Sequence, residues 1–222
     1  MAADVDICNL ALAYLGDEAN IASINPPDQS AQASHCSRFY PQARNELLEM
    51  HTWQFATTRV ALASVNNPTS SWLYAYAAPI GVLNYLAILD PSTTDDYSTQ
   101  IPFAYGVMLA FPPGIGVNAP QPYVVETDAN GNAMILTNMQ NAELRYTQSI
   151  ADTTKFSPTF TEALARLLAA KLAGPLLKGE VGRQEGQAQM GWFAKAFERA
   201  VESDANQRRI MLMHGPAWMV NR

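Results

Sequence analysis

Residues 60–89 have the sequence VALASVNNPTSSWLYAYAAPIGVLNYLAIL, a stretch of the chain without a charged residue. A membrane-spanning helix would need about 20 predominantly apolar residues in a row. Asparagine, proline, glycine and serine interrupt this stretch at many points, and these residues favour turns. The sequence therefore predicts no membrane span here.

The lack of basic residues extends well beyond this stretch. No Lys or Arg occurs between Arg59 and Arg145, whereas the interval holds six acids: Asp90, Asp95, Asp96, Glu126, Asp128 and Glu143. The whole chain has 14 basic and 20 acidic residues, so the charges outside the interval cancel and the formal net charge of −6 belongs to it. So sharp a change in composition predicts a separate module between two flanking arms.

Short apolar or alternating runs predict the strands of this middle module. They lie at residues 83–89, 103–111, 123–127, 134–137 and 143–147. The segment Asp128-Ala-Asn-Gly131-Asn is typical of a hairpin turn, because Asn and Gly tolerate the positive φ that such turns require. We therefore expect a small antiparallel β module.

The first arm has the spacing of two amphipathic helices. Asp4 or Asp6 is expected to cap a helix that stops at Gly16, with Ile7, Ala11, Tyr14 and Leu15 on one face. A second helix is predicted from about residue 31 to residue 50, and Pro41 inside it should produce a kink. Its apolar positions recur every three or four residues: Cys36, Tyr40, Ala43, Leu47 and Met50.

Two more helices are predicted in the second arm. Ser157 with Pro158, or Thr159 with Glu162, is typical of a helix start, and Gly174-Pro175 should end or kink this helix. Its apolar face consists of Phe160, Leu164, Leu167, Leu168 and Leu172. The fourth helix is predicted at residues 181–204, with one stripe formed by Gln189, Phe193, Ala196, Phe197 and Ala200.

These elements predict an α+β fold, since no amphipathic helix buries its apolar stripe alone. Residues 1–59 and 146–206 are expected to form a four-helix bundle, and residues 60–145 an inserted small antiparallel β module. Residues 207–222 are predicted to be an extended C-terminal docking arm. A chain of 222 residues buries enough core to fold without a disulfide or a metal.

The composition excludes several classes of protein. Cys8 and Cys36 are too few for a disulfide-rich secreted scaffold, and the negative net charge is not that of an obligate nucleic-acid binder. Asp4 and Asp6 stand where a signal peptide would carry basic residues, so we expect synthesis in the cytoplasm without export. Charged residues make up only 15% of the chain, against about 25% in an ordinary soluble domain, which indicates that something else, such as copies of the chain, covers part of its surface.

The candidates for chemistry do not assemble into a catalytic site. His35, Cys36 and His51 fit no zinc spacing, and Cys36 falls on the apolar stripe of its helix. Asp128, Asn130 and Asn132 begin like a calcium loop, but Gly131 comes too early in it. We therefore predict a protein that is not an enzyme and holds no cofactor or metal.

Two aromatic segments carry the strongest pattern, His51-Thr52-Trp53-Gln54-Phe55-Ala56 and Trp72-Leu73-Tyr74-Ala75-Tyr76. Large rings bury much area, so Trp53, Phe55, Trp72 and Tyr76 are predicted to anchor the helical and β modules.

With these segments the chain resembles the tail tubular protein A family, the head-to-tail adaptor (connector) proteins of short-tailed bacteriophages. The order and spacing of the matching segments carry the resemblance over most of the chain, up to about residue 204. Besides the two aromatic segments, the matches are Asn9-Leu10-Ala11-Leu12 through Leu15-Gly16, Phe39-Tyr40 through Arg44-Asn45-Glu46-Leu47-Leu48, Arg59, Pro79, Leu144-Arg145-Tyr146, Phe156-Ser157-Pro158 with Phe160, and residues 163–173.

The resemblance implies a structural virion protein located in the tail at the portal vertex. Copies form an oligomeric ring between the portal protein and the tail nozzle (tail tubular protein B), a dodecamer in members that follow the portal's symmetry. The ring often helps to seat the tail fibres. DNA passes through the channel without specific binding, which suits an assembly with a net negative charge.

The alternative function is a tail-associated cell-wall-degrading enzyme, which would need a pair of carboxylates in a groove; a free regulatory helical module is a third possibility. The C-terminal arm combines positive charge with apolar groups and has no acid, so it is predicted to bind the portal or a neighbouring copy; the alternative is a tail that folds back on its own bundle. The residues that carry this prediction are Arg208, Arg209, Ile210, Met211, Leu212, Trp218, Met219 and Arg222.

Overall fold

The computed structural model describes residues 3–18, 20–91 and 121–207. These residues form a mixed α+β structure with four helices and two antiparallel sheets, which confirms the predicted class. They divide into two compact units: the first contains the residues up to 57 and from 147 onward, and the second contains the residues between. The strand predicted at residues 103–111 and the arm from residue 208 lie outside the described residues.

The first unit contains all four helices: α1 (Asp4–Tyr14), α2 (Ala31–Met50), α3 (Pro158–Leu177) and α4 (Gly179–Ala205). Helix α3 is apolar on almost every side, and a helix of that kind is buried by its neighbours. It packs against α1, α2 and α4. All five apolar residues predicted for its buried face are fully buried. Among the described residues, no helix is long and apolar enough to span a membrane.

Helix α1 differs from its prediction at the first residue. Ala3 occupies the N-cap position, not Asp4 or Asp6, and the Asp6 carboxylate accepts the Ala3 N–H at 2.8 Å. The predicted stop at Gly16 is confirmed. Its φ of +74° allows Gly16 N–H to bond Ala13 O at 3.0 Å and Asp17 N–H to bond Leu12 O at 3.1 Å, a Schellman motif.

Helix α2 has the predicted bounds but not the whole predicted stripe. Ser30 caps it by accepting the Ala33 N–H at 3.1 Å, and the helix runs on through Pro41. Cys36, Tyr40, Ala43 and Leu47 are buried, whereas Met50 is 47% exposed. Met50 lies in the last turn, where the chain leaves the helix, so its place on the stripe was wrongly predicted.

Helices α3 and α4 meet at a tight connection. Ser157 caps α3 through the Phe160 N–H at 3.2 Å, as predicted. The helix then continues through Gly174-Pro175 and ends at Leu177, so this pair does not end it, and the alternative of a kink there stays a prediction. The fixed φ of proline suits a helix, and one missing backbone donor does not stop a helix that is packed on several sides.

The two sheets are built from seven described strands: β1 (Thr57–Ala61), β2 (Ser64–Val65), β3 (Tyr74–Ala77), β4 (Val82–Leu89), β5 (Tyr123–Thr127), β6 (Ala133–Thr137) and β7 (Glu143–Gln148). One sheet has the order β1-β7-β4 and the other β2-β3-β6-β5. The predictions for β4 to β7 are confirmed to within one residue, whereas β1, β2 and β3 were not predicted.

The hairpin between β5 and β6 has its turn at the predicted segment. Asp128 N–H bonds Asn132 O at 2.8 Å, and Gly131 has a φ of +83°. The turn sets the register, which pairs Val125 with Ile135 across the hairpin. Ile135 is fully buried in a core with Tyr76, Ile88, Ala142, Leu144 and Tyr146.

Candidate functional site

An aromatic cluster in the first unit joins elements from both arms of the chain. We define it as Trp53, Phe55, Phe156, Phe160 and Phe197. The ring centroids of Trp53 and Phe160 are 4.9 Å apart and nearly perpendicular, and those of Phe55 and Phe160 are 5.0 Å apart. Phe197 of α4 meets the edge of Trp53 at 6.1 Å. Edge-to-face contacts of this kind add to the free energy gained from burying the rings.

Trp53 is the fully buried centre of the cluster. Its indole Nε1–H donates to the backbone O of Leu47 at 2.8 Å, in the last turn of α2. Thr57 Oγ1–H donates back to the Trp53 carbonyl at 2.7 Å, across a 3₁₀ turn at Gln54–Ala56. A buried indole needs such a partner, so the ring orientation is fixed by hydrogen bonding as well as by packing.

A buried carboxylate, which the sequence pattern did not reveal, lies next to this segment. Asp204 on α4 is 4% exposed and accepts the Gln54 N–H at 3.1 Å. His51 Nε2 lies 3.3 Å from Asp204 Oδ2. The carboxylate therefore ties the end of α4 to the chain that follows α2. The only signal for its burial in the sequence is its position four residues after Ala200, which lies on the predicted stripe of the fourth helix.

Trp72 and Tyr76, the other two predicted anchors, lie in the second unit. Tyr76 is 3% exposed, and its hydroxyl donates to Met139 O at 2.9 Å. Trp72 packs against Ala75, Met134 and Leu136, and its carbonyl accepts from Asn67 Nδ2 at 2.6 Å. Trp53 and Phe55 lie together in the first unit at a centroid distance of 6.1 Å. The proposed anchoring of one module by the other stays a prediction.

The predicted residues of the C-terminal arm all lie outside the described residues. These are Arg208, Arg209, Ile210, Met211, Leu212, Trp218, Met219 and Arg222. Their role in binding the portal or a neighbouring copy stays a prediction.

The ionisable side chains that were candidates for chemistry in the sequence contact residues close to them in the chain. The Asp128 carboxylate accepts from the backbone of Asn130 and Asn132 and from the Asn132 side chain, so it stabilises its own turn. His35 lies against the ring of Phe39 at 6.5 Å. Within residues 3–18, 20–91 and 121–207, no group of three or more His, Cys, Asp and Glu is placed to hold a metal ion.

An open groove of about 720 Å³ lies in the second unit, beside the β5–β6 hairpin. Its walls include Val65, Pro68, Pro79, Ile80 and Met134. Asp128 is the one ionisable residue among the described residues of the wall. General acid–base hydrolysis of a glycosidic bond needs two carboxyl groups, and this part of the groove supplies one.

Helix α4 presents an exposed tryptophan, which no pattern in the sequence indicated. Trp192 is 53% exposed, with Lys195 Nζ at 4.8 Å from its ring centroid and the Arg166 guanidinium at 5.9 Å. The same guanidinium stacks on Tyr14 at 3.4 Å. Val181 and Met190, also on α4, are exposed as well. Exposed Trp beside cationic side chains is a common feature of protein-binding surfaces.

Of the predicted anchors, Trp53 and Tyr76 are buried and donate to backbone carbonyl groups, and Phe55 and Trp72 are half-buried. No family model matches the chain, and no curated protein is significantly similar to it.

Proposed function

We propose that this protein is a structural virion protein, a head-to-tail adaptor of a short-tailed bacteriophage. In this proposal its copies form a ring, a dodecamer on a portal of that symmetry, between the portal protein and the tail nozzle. The helices form a four-helix bundle that carries an inserted β module, and the DNA-exit channel runs through the ring. Tail fibres are seated at the same level, and the protein is made in the host cytoplasm and acts without catalysis or cofactor.

One observation carries the proposal: segments of the resemblance that are far apart in the sequence meet in the structure. In the first unit, Trp53 and Phe55 come from one such segment, and Phe156 and Phe160 come from another. Centroid distances of 4.9 Å for Trp53–Phe160 and 5.7 Å for Phe55–Phe156 place them in one cluster. A shared contact gives a physical reason why these aromatic residues occur together in one chain.

The same convergence occurs in the second unit. Tyr76 belongs to the segment that begins at Trp72, and Leu144 and Tyr146 belong to a segment near the other end of the β module. All three are buried in one core. The separate segments therefore act as two packing motifs, which supports a shared architecture with the adaptor family.

The distribution of charge also supports a ring around DNA. The described acids of the second unit include Glu126, Asp128 and Glu143, and residues 60–144 contain no Lys or Arg. Such a surface repels DNA phosphates, so the genome slides past without sticking. The mixed charges and the exposed Trp192 of the first unit suit contacts between copies, so we propose that the helices supply most of the packing between subunits.

The test is binding to isolated portal rings of the phage that encodes this chain. The purified chain should co-sediment with portal rings in a fixed ratio that matches the portal's symmetry. Alone at micromolar concentration, it should sediment as a monomer in analytical ultracentrifugation, because assembly on the portal avoids docking a preformed ring. Stable rings without portal would contradict this assembly order.

Activity on peptidoglycan is the result that would support the alternative function. The enzyme alternative requires the same preparation to clear a peptidoglycan gel, with no need for portal. Clearing without portal binding would overturn the adaptor proposal. If the chain neither clears peptidoglycan nor binds portal rings, the result favours a free regulatory helical module. That result also overturns the adaptor proposal.

A further inference from the structure

The walls of the groove in the second unit are fixed by hydrogen bonds. The groove lies at one end of the four-stranded sheet, where β2 and β3 end and β6 begins. Ala78, just after β3, donates its N–H to Ala133 O at 3.0 Å. The Asp128 carboxylate holds the β5–β6 turn by accepting the N–H groups of Asn130 and Asn132 at 2.8 Å each. The walls are therefore formed before anything binds, which lowers the entropy cost of binding.

These walls expose apolar surface to water. Ile80, in the turn between β3 and β4, is 98% exposed, and Val65 at the end of β2 is 38% exposed. Pro68 and Pro79 extend the apolar wall, and Asn66 adds an amide group that can pair with the backbone of a bound segment. An apolar groove with a few polar groups suits an extended peptide.

We propose that this groove binds the C-terminal arm, residues 207–222, of a neighbouring copy of the chain. The two partners have complementary charge. Residues 60–144 contain acids and no Lys or Arg, whereas the arm contains three arginines and no acid. Asp128 lies in the groove wall itself. Complementary charges steer the arm to this surface and select it over other segments.

The arm also has the composition and the reach that the groove requires. Gly215-Pro216 interrupts any helix and favours an extended segment. The 15 residues after Gln207 can span about 50 Å when extended. A unit of about 100 residues has a radius of gyration of about 13 Å, so the arm is long enough to reach a neighbouring copy. Its apolar residues are Ile210, Met211, Leu212, Met213, Trp218, Met219 and Val220.

The role of this contact rests on the adaptor proposal. In a ring, each copy offers one arm and one groove, so head-to-tail contacts close on themselves and fill every groove. A single weak contact is compatible with the expected monomer at micromolar concentration. Neighbouring copies on a portal hold arm and groove at an effective concentration in the millimolar range, where the contact forms. The arm then latches together subunits that also pack through their helices.

The experiment places the photo-crosslinking amino acid p-benzoylphenylalanine at position 218 of the full-length chain, in place of Trp218. Equal amounts of isotope-labelled and unlabelled chain are mixed, concentrated to the millimolar range without portal, and irradiated. We expect mass spectrometry to find position 218 joined to groove residues such as Ile80 or Met134, with mixed-isotope pairs as frequent as uniform ones. Uniform pairs alone would place the arm in its own groove and overturn the proposal, as would the absence of cross-links to the groove.

Two exposed residues of the second unit provide a matched pair of variants. Ile80→Lys removes an apolar side chain from the groove and adds a cation, so the yield of cross-links to the groove should fall about fivefold or more. Leu73→Lys makes the same change at a residue that is 70% exposed and not part of the groove, and should alter the yield by less than about twofold. Both side chains are exposed, so circular dichroism should be unchanged in both variants. Equal losses of yield would overturn the groove as the binding site.

Irradiation of the portal-bound chain separates this contact from the adaptor role. Cross-links from position 218 to the groove are expected there too, and cross-links to the portal protein alone would assign the arm to the portal and overturn the proposal. Portal binding without cross-links to the groove would overturn the groove contact and leave the adaptor proposal standing. Cross-links to the groove in a chain that does not bind portal would support the contact between copies and overturn its role in an adaptor ring.

Discussion

Asp204 on α4 accepts the backbone N–H of Gln54 at a distance of 3.1 Å, although the two residues lie in opposite arms of the chain. The same carboxylate lies 3.3 Å from His51 Nε2. A buried carboxylate is retained only where donors compensate for its lost hydration. The contact therefore fixes the segment that carries Trp53 against the last turns of α4.

Replacing Asp204 tests this contact. Asp204→Ala should lower the free energy of unfolding by about 1–3 kcal/mol, because the Gln54 N–H loses its acceptor. Asp204→Asn retains an amide oxygen and should cost less. Urea denaturation measures both, with Glu202→Ala on the exposed face of α4 as a control that should change stability by less than about 0.5 kcal/mol. Equal effects at positions 202 and 204 would contradict the role of the contact.

The tryptophans offer a matched pair for testing the aromatic cluster. Trp53→Phe removes the hydrogen bond to Leu47 O and leaves space beside Phe160, so we expect a loss of about 2–4 kcal/mol in unfolding free energy. Trp192→Phe makes the same change at a site that is 53% exposed and should cost less than about 1 kcal/mol. Chemical denaturation measures the unfolding free energy of both variants. Similar losses of unfolding free energy would mean that the cluster does not organise this unit.

Two glycines of α4 test how closely that helix approaches α3. A Cβ on Gly182 would lie 2.8 Å from Ala173 O, so Gly182→Ala must shift one helix and should cost about 1–3 kcal/mol. A Cβ on Gly191 meets nothing within 4 Å, so Gly191→Ala should raise stability by up to about 1 kcal/mol through helix propensity. Thermal unfolding should move in opposite directions for the two variants. A shift in the same direction would contradict the close packing.

The β5–β6 hairpin should weaken in acid. The Asn132 side chain and then the backbone N–H groups of Asn132 and Asn130 hold the pKa of Asp128 below its ordinary value. A carboxyl with a lowered folded-state pKa stabilises the structure above its unfolded pKa of about 3.9, and this stabilisation is lost as the pH falls through the folded value.

Hydrogen exchange at the Asn132 amide measures this effect. Protection should be constant down to about pH 4 and fall below it, whereas Asp128→Asn should remove the acid-dependent part. An identical pH profile in the variant would assign the acid sensitivity to another group.

Elements with local signals were predictable from the sequence. Ser157 caps α3 through a donor only three positions away, and Gly131 provides the positive φ that its own turn requires. Strand β3 was not predicted, because it has no such local signal. Its residues pair with β2 on one side and with β6 on the other, as in Tyr76 with Ser64 and with Ile135, and only these partners make them a strand.

The contacts of the candidate site were less predictable than its residues. Trp53 and Phe55 stood out in the sequence, but their partners Phe160 and Phe197 became evident only once the helices were packed. The burial of Asp204 could not be predicted, because a single acid near the end of a helix forms no periodic pattern. Burial of one polar group depends on the whole fold and leaves no local pattern.

The predicted C-terminal docking arm is residues 207–222, and from residue 208 onward it lies outside the described residues. It has three arginines and no acid, and its apolar residues include Trp218 and Met219. Gly215-Pro216 interrupts any helix, so the arm suits an extended segment that gains order on binding. Deleting the residues after Gln207 should leave circular dichroism and the thermal midpoint unchanged, because the described helices end at Ala205. The same deletion should abolish co-sedimentation with portal rings.

A full-length control with Arg208→Glu and Arg209→Glu should bind more weakly and lose its salt dependence. A truncated chain that still attaches normally would remove the arm from the mechanism.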